Sequence, residues 1–368
     1  MSGVASATVF DADVHLHELD ADLAPYFELP WRRVLEEGGL AREGARAVRG
    51  ERLLDVPGYW PHTVYDPIMS DFPEAEPRQL TSPDLLRADL DERGTAAALV
   101  FPGRLLRAAT STDELYVAAM ARAYNRSLAE RWVDPARGIY AAIMAANQVP
   151  EDAAREIETY AGLPGFAAVY LPLAGNYPLW GDRMYEPIYA AAESANLPVV
   201  LQGAITVHPV FPYALHHVPT ALAKQTLSQP FGAMANLVHL VTTGVLARHP
   251  SLRIVFNDVG LSWLPILLER LDHFYPYLKD EVPFLNGPPS DSIRRQVFVS
   301  THPIGPVLSR TYLAACIDAI GPDQILFGSD YPHFDANAPS DVAELPVGEE
   351  VKRKILVDNA RRVFPRIQ

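Results

Sequence analysis

The chain predicts a (β/α)8 TIM barrel, and three observations carry that prediction. Short β-branched or alanine-rich runs alternate with longer helical patterns through most of the sequence, and eight such runs can be found. No glycine-rich phosphate loop follows the first of them, which disfavours the competing doubly wound open sheet.

The predicted strands are TVFDADVHL from Thr8, TAAALVF from Thr95, GIYAAIMAA from Gly138 and GFAAVYLP from Gly165. LPVVLQG from Leu197, LRIVFND from Leu252, QVFVST from Gln296 and QILFGSD from Gln324 follow. Several are continuously apolar, as strands covered on both faces of a parallel sheet must be. Helical periodicity fills the gaps, over 82–93, 112–132, 151–162, 184–195, 220–248, 263–277, 305–320 and 349–363. Ser82 and Thr112 suit the capping position that opens a helix, and Pro150 presets the helical φ ahead of Glu151.

The first gap breaks the rhythm. It contains DVPGYWPHTVYDP (55–67), rich in proline and aromatics and poor in periodicity. Long insertions after a barrel strand gather at the C-terminal face, so residues 19–81 read as a cap over the mouth of a single domain spanning 1–368.

Composition narrows the function classes. Hydrophobic residues make up 49% and charged residues 21% of the chain, as in a folded globular protein. The net charge of −14 argues against nucleic acid or an anionic membrane as partner, though local arginines could still bind a small anion. No apolar stretch reaches the length of about 20 residues that a membrane helix needs. The opening MSGVASATVF lacks a basic flank and a long apolar run, so no secretory signal is expected and a cytoplasmic location is the default. Cys316 is the only cysteine, which excludes an intrachain disulfide and a thiolate metal cluster.

In a barrel, chemistry gathers at the C-terminal ends of strands. His15 and His17 end the first strand, and strand alternation places both on one face with backbones about 7 Å apart. Two neutral imidazoles so placed suit one divalent ion, while an isolated His-x-His can equally be surface polarity. Asp330 ends the eighth strand, beside the first in a closed barrel. Its carboxylate could complete a ligand set or take a proton from a metal-bound water.

These segments carry a resemblance. DVHLH on the first strand, RIVFNDVGLSWLPILLERLD around the sixth, ILFGSDYPHFD at the eighth and the closing DNARRVF resemble the amidohydrolase superfamily. Within it they are similar to the branch of aminocarboxymuconate-semialdehyde decarboxylase and related aromatic-acid decarboxylases (amidohydrolase family 2). The resemblance spans nearly the whole chain. It implies a barrel with one divalent metal, Zn2+ with Mn2+ as the alternative, and often a homodimer. It makes His15 and His17 metal ligands and Asp330 the eighth-strand ligand or acid/base. Asp13 matches an acidic position that ligates in some relatives, or it supports the strand end. His333 matches a recurring residue that orients Asp330.

Two departures stand out. The fifth strand of that branch ends in a histidine ligand, whereas here Gln202 occupies the position; His208 in ITVHP is the substitute candidate, or a plain loop histidine. The sixth strand carries Asp258 where a histidine or glutamate is usual, and Asp258 could act as general base if burial raised its pKa. His302 follows the seventh strand and is expected to face substrate. His216 and His217 fall in a proline-bounded loop, His239 reads as a satisfied core histidine, and His249 and His273 read as helix-end or surface residues. Trp60 and Tyr331 head a set of aromatics in predicted mouth loops, with Tyr59, Tyr65, Tyr170, Tyr177, Trp180, Phe211, Tyr213, Trp263 and Phe334; some must be packing anchors. Arg104 and Arg107 could grip a carboxylate or lie on a solvated loop face.

The expected function is a metal-dependent enzyme acting on a small aromatic carbonyl or amide compound, by hydrolysis or by ring-closing dehydration. A non-oxidative decarboxylase of an aromatic or unsaturated acid is the first alternative. A metal-free cyclase or binding protein on the same barrel is the second.

Overall fold

The computed structural model describes residues 9–33, 36, 78–103, 105–106, 113–173, 178–203, 221–304 and 309–367. Its strands are β1 (Val9–His15), β2 (Thr95–Phe101), β3 (Ile139–Met144), β4 (Phe166–Pro172), β5 (Val199–Gln202), β6 (Ile254–Asn257), β7 (Val297–Ser300) and β8 (Ile325–Leu326). They pair in parallel in sequence order within one eight-stranded sheet, as the alternation of elements predicts.

The chain just after β8 brings the ring round to β1. Ala12 N–H donates to Phe327 O at 2.9 Å, Asp330 N–H to Asp13 O at 2.9 Å and His15 N–H to Tyr331 O at 2.7 Å. The strand is shorter than its apolar run predicts because Phe327 N–H turns away to Ile355 O. Gly328 is needed at this seam. A Cβ there would stand 2.8 Å from Ser300 Cβ and 3.0 Å from Asp13 Cβ, closer than packed carbons approach.

The helices of eight or more residues are α1 (Pro83–Glu92), α2 (Glu114–Ser127), α3 (Pro150–Ala161), α4 (Glu186–Ser194), α5 (Ala221–Thr242), α6 (Trp263–Leu278), α7 (Pro289–Gln296) and α8 (Arg310–Ile320). Ser82 caps α1 as predicted, its Oγ accepting from Leu85 N–H at 3.2 Å. The cap of α2 is Asp113, which accepts from Tyr116 N–H at 3.0 Å; the predicted Thr112 lies outside the described residues. The helix expected over 220–248 breaks at Gly244, whose φ of 82° belongs to the left-handed region. Helix α7 was not predicted; its eight residues form a single short amphipathic stretch just ahead of β7. Helical backbone does run from Glu349 to Val363, through a π-turn at Lys354–Asp358.

The core is continuous between strands and helices. Tyr170, Trp180 and Trp263, expected near the mouth, are buried packing residues, and the two indole N–H groups donate to Pro172 O and Gly260 O. Among the described residues, no helix is long and apolar enough to cross a membrane. Most of the expected cap (34–35 and 37–77) lies outside the described residues, with Tyr59, Trp60, His62 and Tyr65; so do Arg104, Arg107, Tyr177, His208, Phe211, Tyr213, His216 and His217.

Candidate active site

The polar side chains of the barrel interior converge at the C-terminal ends of β1, β5, β6, β7 and β8. His15 is buried at the end of β1, and its Nδ1 meets Pro102 O at 2.8 Å. A backbone carbonyl can only accept, so Nδ1 carries hydrogen and Nε2 faces inward. Metal-binding histidines are oriented by the same kind of bond on their far nitrogen.

Three side chains crowd that inward nitrogen. Asp330 Oδ1 lies 3.0 Å from His15 Nε2, Asp13 Oδ1 3.3 Å and Gln202 Nε2 3.4 Å. Gln202 Nε2 also donates to Asp13 Oδ2 at 3.3 Å. Asp13 and Gln202 are fully buried, at 0% exposure. Neither Asp13 Oδ1 nor Gln202 Oε1 receives a hydrogen bond, since the approach of His15 to Asp13 is close but not aligned as one. Two buried oxygens therefore lack a donor, a costly state unless a cation or a donor completes them. Burial would depress the basicity of His15, yet the close approach and charge of both Asp13 and Asp330 hold its pKa well above the ordinary imidazole value. The geometry demands positive charge beside Nε2, which a proton or a metal ion can supply.

Asp330 links this group to a second. Its Oδ1 also meets His333 Nδ1 at 2.9 Å, and His302 Nδ1 lies 3.9 Å from its Oδ2. Burial would raise the Asp330 carboxyl, but the His333 charge and bonds from His15 and His333 hold it far below the carboxylate range. The buried His302 places Nδ1 2.9 Å from Asp258 Oδ1 and Nε2 3.3 Å from Asp335 O. With acceptors at both nitrogens, the ring favours the doubly protonated form. Burial opposes that form, but the Asp258 bond and the charges of Asp330, Asp258 and Asp335 lift His302 to about 10. Burial, with the neighbouring Asp330 charge, pushes Asp258 up to about 6, against the His302 bond. Asp258 Oδ2 accepts from Gln229 Nε2 on α5 at 2.8 Å.

Both aspartates sit in unusual backbone. Asp258 has φ 56° and Asp330 φ 60°, the left-handed region that non-glycine residues seldom enter. Such strain costs on the order of 1–3 kcal/mol and collects where function over-determines the conformation. Asp258 N–H is held by Ser300 Oγ at 3.2 Å, and Asp330 N–H by Asp13 O.

His15, Asp13, Gln202, Asp330, His333, Asp258 and His302 thus come together. Among the described residues, His15–Asp330–His333 and Asp258–His302–Asp330 each place ligand atoms within 4.8 Å of one another. His17 belongs to neither group; it lies past the end of β1, half-buried, with its N–H on Leu80 O. Tyr331 points elsewhere, its hydroxyl donating to Asp89 at 2.8 Å and its ring 4.3 Å below the Arg93 guanidinium. His302, expected to contact substrate, is engaged with Asp258. His239 accepts from Gly181 N–H, as a satisfied histidine should. His249 is a helix-end residue, capping the short helix Val245–Arg248, and not a surface one; it is buried between Glu186 and Glu193.

Two participants escaped the sequence reading. Asn257 pairs in register with Gln202 and reaches across the barrel to Ala12 O at 2.8 Å; its place at the end of β6 was the available signal. Gln229 had none, because a polar residue in a largely apolar helix does not declare its partner.

The amidohydrolase family profile matches residues 12–366. Among curated relatives, the gamma-resorcylate decarboxylase of Polaromonas sp. is 25% identical over 329 residues, covering 85% of this chain and 94% of that protein. The chain spans little more than half, 56%, of the 6-methylsalicylic acid decarboxylase of Penicillium expansum, at 26% identity over 199 residues. Among solved structures, an amidohydrolase from Mycobacterium avium subsp. paratuberculosis superposes with a TM-score of 0.72 at 21% identity, over 97% of this chain and 99% of that one. A dihydroxybenzoic acid decarboxylase from Polaromonas sp., with bound manganese and the inhibitor 2-nitroresorcinol, gives 0.67 at 17% identity over 97% of each chain.

Proposed function

The chain belongs to the amidohydrolase family, and we propose that it is a divalent-metal-dependent, non-oxidative decarboxylase of an aromatic carboxylic acid. One observation carries the reading: Asp330 is shared between a cation-demanding group at His15 and a proton-holding pair, Asp258–His302. A metal-assisted decarboxylation uses both functions, the ion to anchor the acid and the pair to protonate the carbon.

The donor set fits a metal. His15 Nε2, Asp330 and Asp13, with Gln202 Oε1, would hold it, and the donorless oxygens of Asp13 and Gln202 support that fit. When bound, a divalent ion supplies Lewis acidity and a fixed anchor for an anionic substrate.

The chain's own residues handle the proton. At neutral pH it rests between His302 Nδ1 and Asp258 Oδ1, 2.9 Å apart. As the bond between ring carbon and carboxylate breaks, its electron pair stays on the ring carbon and carbon dioxide leaves. The proton from the Asp258–His302 pair then bonds to that carbon, so nothing is oxidised or reduced. Gln229, bonded to Asp258 Oδ2, orients the carboxyl. The buried His302 and Asp330 shield this proton from the water that would compete as its acceptor, with Asp258 partly buried beside them.

The decarboxylase names of the relatives support this reading over the hydrolysis or ring closure expected first from the sequence. Hydrolysis ranks second, because the same pair could take a proton from water. The test is a panel of hydroxybenzoic acids incubated with the metal-loaded protein in deuterated water. Carbon dioxide should appear in step with loss of acid, and deuterium at the vacated ring carbon. Turnover of an aromatic ester, lactone or amide with no carbon dioxide from any acid would overturn the proposal in favour of hydrolysis.

A further inference from the structure

Asp258, His302 and Asp330 are carried by three different loops, and proton delivery depends on how those loops are held to one another. Both aspartates are fixed through their own N–H groups, on Ser300 Oγ and Asp13 O. His302 lies two residues past the end of β7, in irregular chain that the strand ladder no longer holds. Its carbonyl accepts from Gly260 N–H at 2.8 Å, which ties it to the loop of Asp258. Ahead of it, Thr301 still bonds to Leu326 O and Gly328 O. Past it, the tie to the loop of Asp330 is made by the side chain of Asn337.

Asn337 is buried, and its carboxamide meets both polar backbone groups of Ile304. Oδ1 accepts from Ile304 N–H at 2.8 Å, and Nδ2 donates to Ile304 O at 3.4 Å. An amide carries one acceptor and two donor hydrogens, so it can stand in for the neighbouring strand that this segment lacks. Its own backbone is fixed on the Asp330 side: N–H donates to Ser329 O at 2.9 Å, and O accepts from Arg93 Nη2 at the end of α1. The same loop brings Asp335 O to 3.3 Å from His302 Nε2. One residue thus spans from the neighbour of Asp330 to the second residue after His302.

We propose that Asn337 is a positioning residue for proton delivery: by clamping Ile304 to the Asp330 loop, it holds the His302 ring between Asp258 and Asp335 O and in register with Asp330. The inference rests on the decarboxylase reading above. With its polar groups on Ile304, Ser329 and Arg93, Asn337 acts through His302 and not on substrate. The tolerances are narrow, since His302 Nδ1 stands 2.9 Å from Asp258 Oδ1 and 3.9 Å from Asp330 Oδ2. A displacement of about 1 Å at a reacting group can cost about a hundredfold in rate. Thr301 keeps its bonds when the clamp is lost, so the barrel should stand while the ring loses its place.

The test couples kinetics to a spectroscopic signal. In the metal-loaded protein, Asn337→Ala should lower kcat for carbon dioxide release by about tenfold to a hundredfold, with KM and bound metal within about a factor of two of wild type. In a His302→Gln background the same substitution should cost less than about threefold, because the ring it acts through is already gone. The proton resonance of His302 Nδ1–H in histidine-labelled protein, identified by its loss in His302→Gln, should shift or broaden in Asn337→Ala; this readout does not depend on turnover. Asn337→Asp keeps an acceptor for Ile304 N–H and loses the donor to Ile304 O, so its kcat should fall by less; it covers the case in which the alanine variant folds poorly. An equal loss of kcat in the two backgrounds, or a His302 resonance unmoved in whichever variant folds, would overturn this inference while leaving the decarboxylase reading intact. If the wild type releases no carbon dioxide from any acid, that reading fails, and the resonance alone decides whether Asn337 holds the ring.

Discussion

Two polar clusters, built from the same residue types, behave oppositely. On the flank of the barrel, His249 lies buried with Nδ1 2.8 Å from Glu193 and Nε2 2.8 Å from Glu186. Arg248 also binds Glu186, and Ser251 gives both N–H and hydroxyl to Glu193 Oε1. Each of these carboxylates is met by donors, so the cluster is complete and ties α4 to the segment entering β6. At the mouth, Asp13, Gln202 and Asn257 leave oxygens without donors, two aspartates occupy left-handed backbone, and Asp258 and Asp330 are driven to opposite ends of the carboxylate range. Saturation marks a cluster that holds the fold together. Deficit and strain mark one that awaits another atom.

That contrast breaks most visibly at Asp330. Asn tolerates the left-handed region better than other side chains, so Asp330→Asn should keep the fold while removing the charge shared by both mouth groups. Its kcat for decarboxylation should fall by at least about a thousandfold, with circular dichroism unchanged. A variant retaining a tenth of the activity would show that the two groups do not depend on Asp330. Next in size, Asp258→Asn should lower kcat by roughly a hundredfold or more while leaving metal content intact, separating the proton-handling pair from the ion-binding group.

The flank should answer in a different currency. His249→Ala removes charge-assisted bonds to two carboxylates and should lower unfolding free energy by about 1–3 kcal/mol, with kcat within about a factor of two. Chemical denaturation and steady-state kinetics on one preparation would check both. The smallest effect is in pH. Burial would raise Glu186 and Glu193, but bonds from Arg248 and His249 to the first, and from Ser251 and His249 to the second, hold both below the ordinary glutamate value. A depressed carboxyl stabilises the folded state above its unfolded pKa, and that contribution fades as pH falls through the folded value. The stability difference between wild type and Glu193→Gln should therefore shrink below about pH 4.5 and hold constant above about pH 6. A difference that grew on acidification would contradict the saturated picture.

Much of this architecture was legible in the chain. The eight apolar runs predicted every strand, since strands covered on both faces must be apolar whatever their partners. His15, Asp330 and Asp258 were readable because strand ends are where a barrel exposes chemistry. Less readable was anything that depends on a meeting of distant segments. Asp330 lies four residues beyond the end of β8, held there by Asp13 O and not by the β7 ladder. His302 and Asp258 form a pair that no spacing encodes, and Gln229 reaches them from a helix without a polar stripe. Tyr331 illustrates the reverse error. An aromatic next to a site residue suggests substrate contact, yet its hydroxyl and ring are used by Asp89 and Arg93 to seat α1 against the seam. His249 was legible as a helix end, but its burial was not, because that depends on two glutamates from a distant helix.

The central claim is that the donor-poor cluster at the mouth is a cation site on which activity depends. Elemental analysis of purified wild type and His15→Ala, each exposed to excess Mn2+ and desalted, tests it most directly. The account predicts one divalent ion per wild-type chain, none in the variant, and decarboxylation that follows the ion. A wild-type chain free of metal that still releases carbon dioxide at the full rate would contradict it.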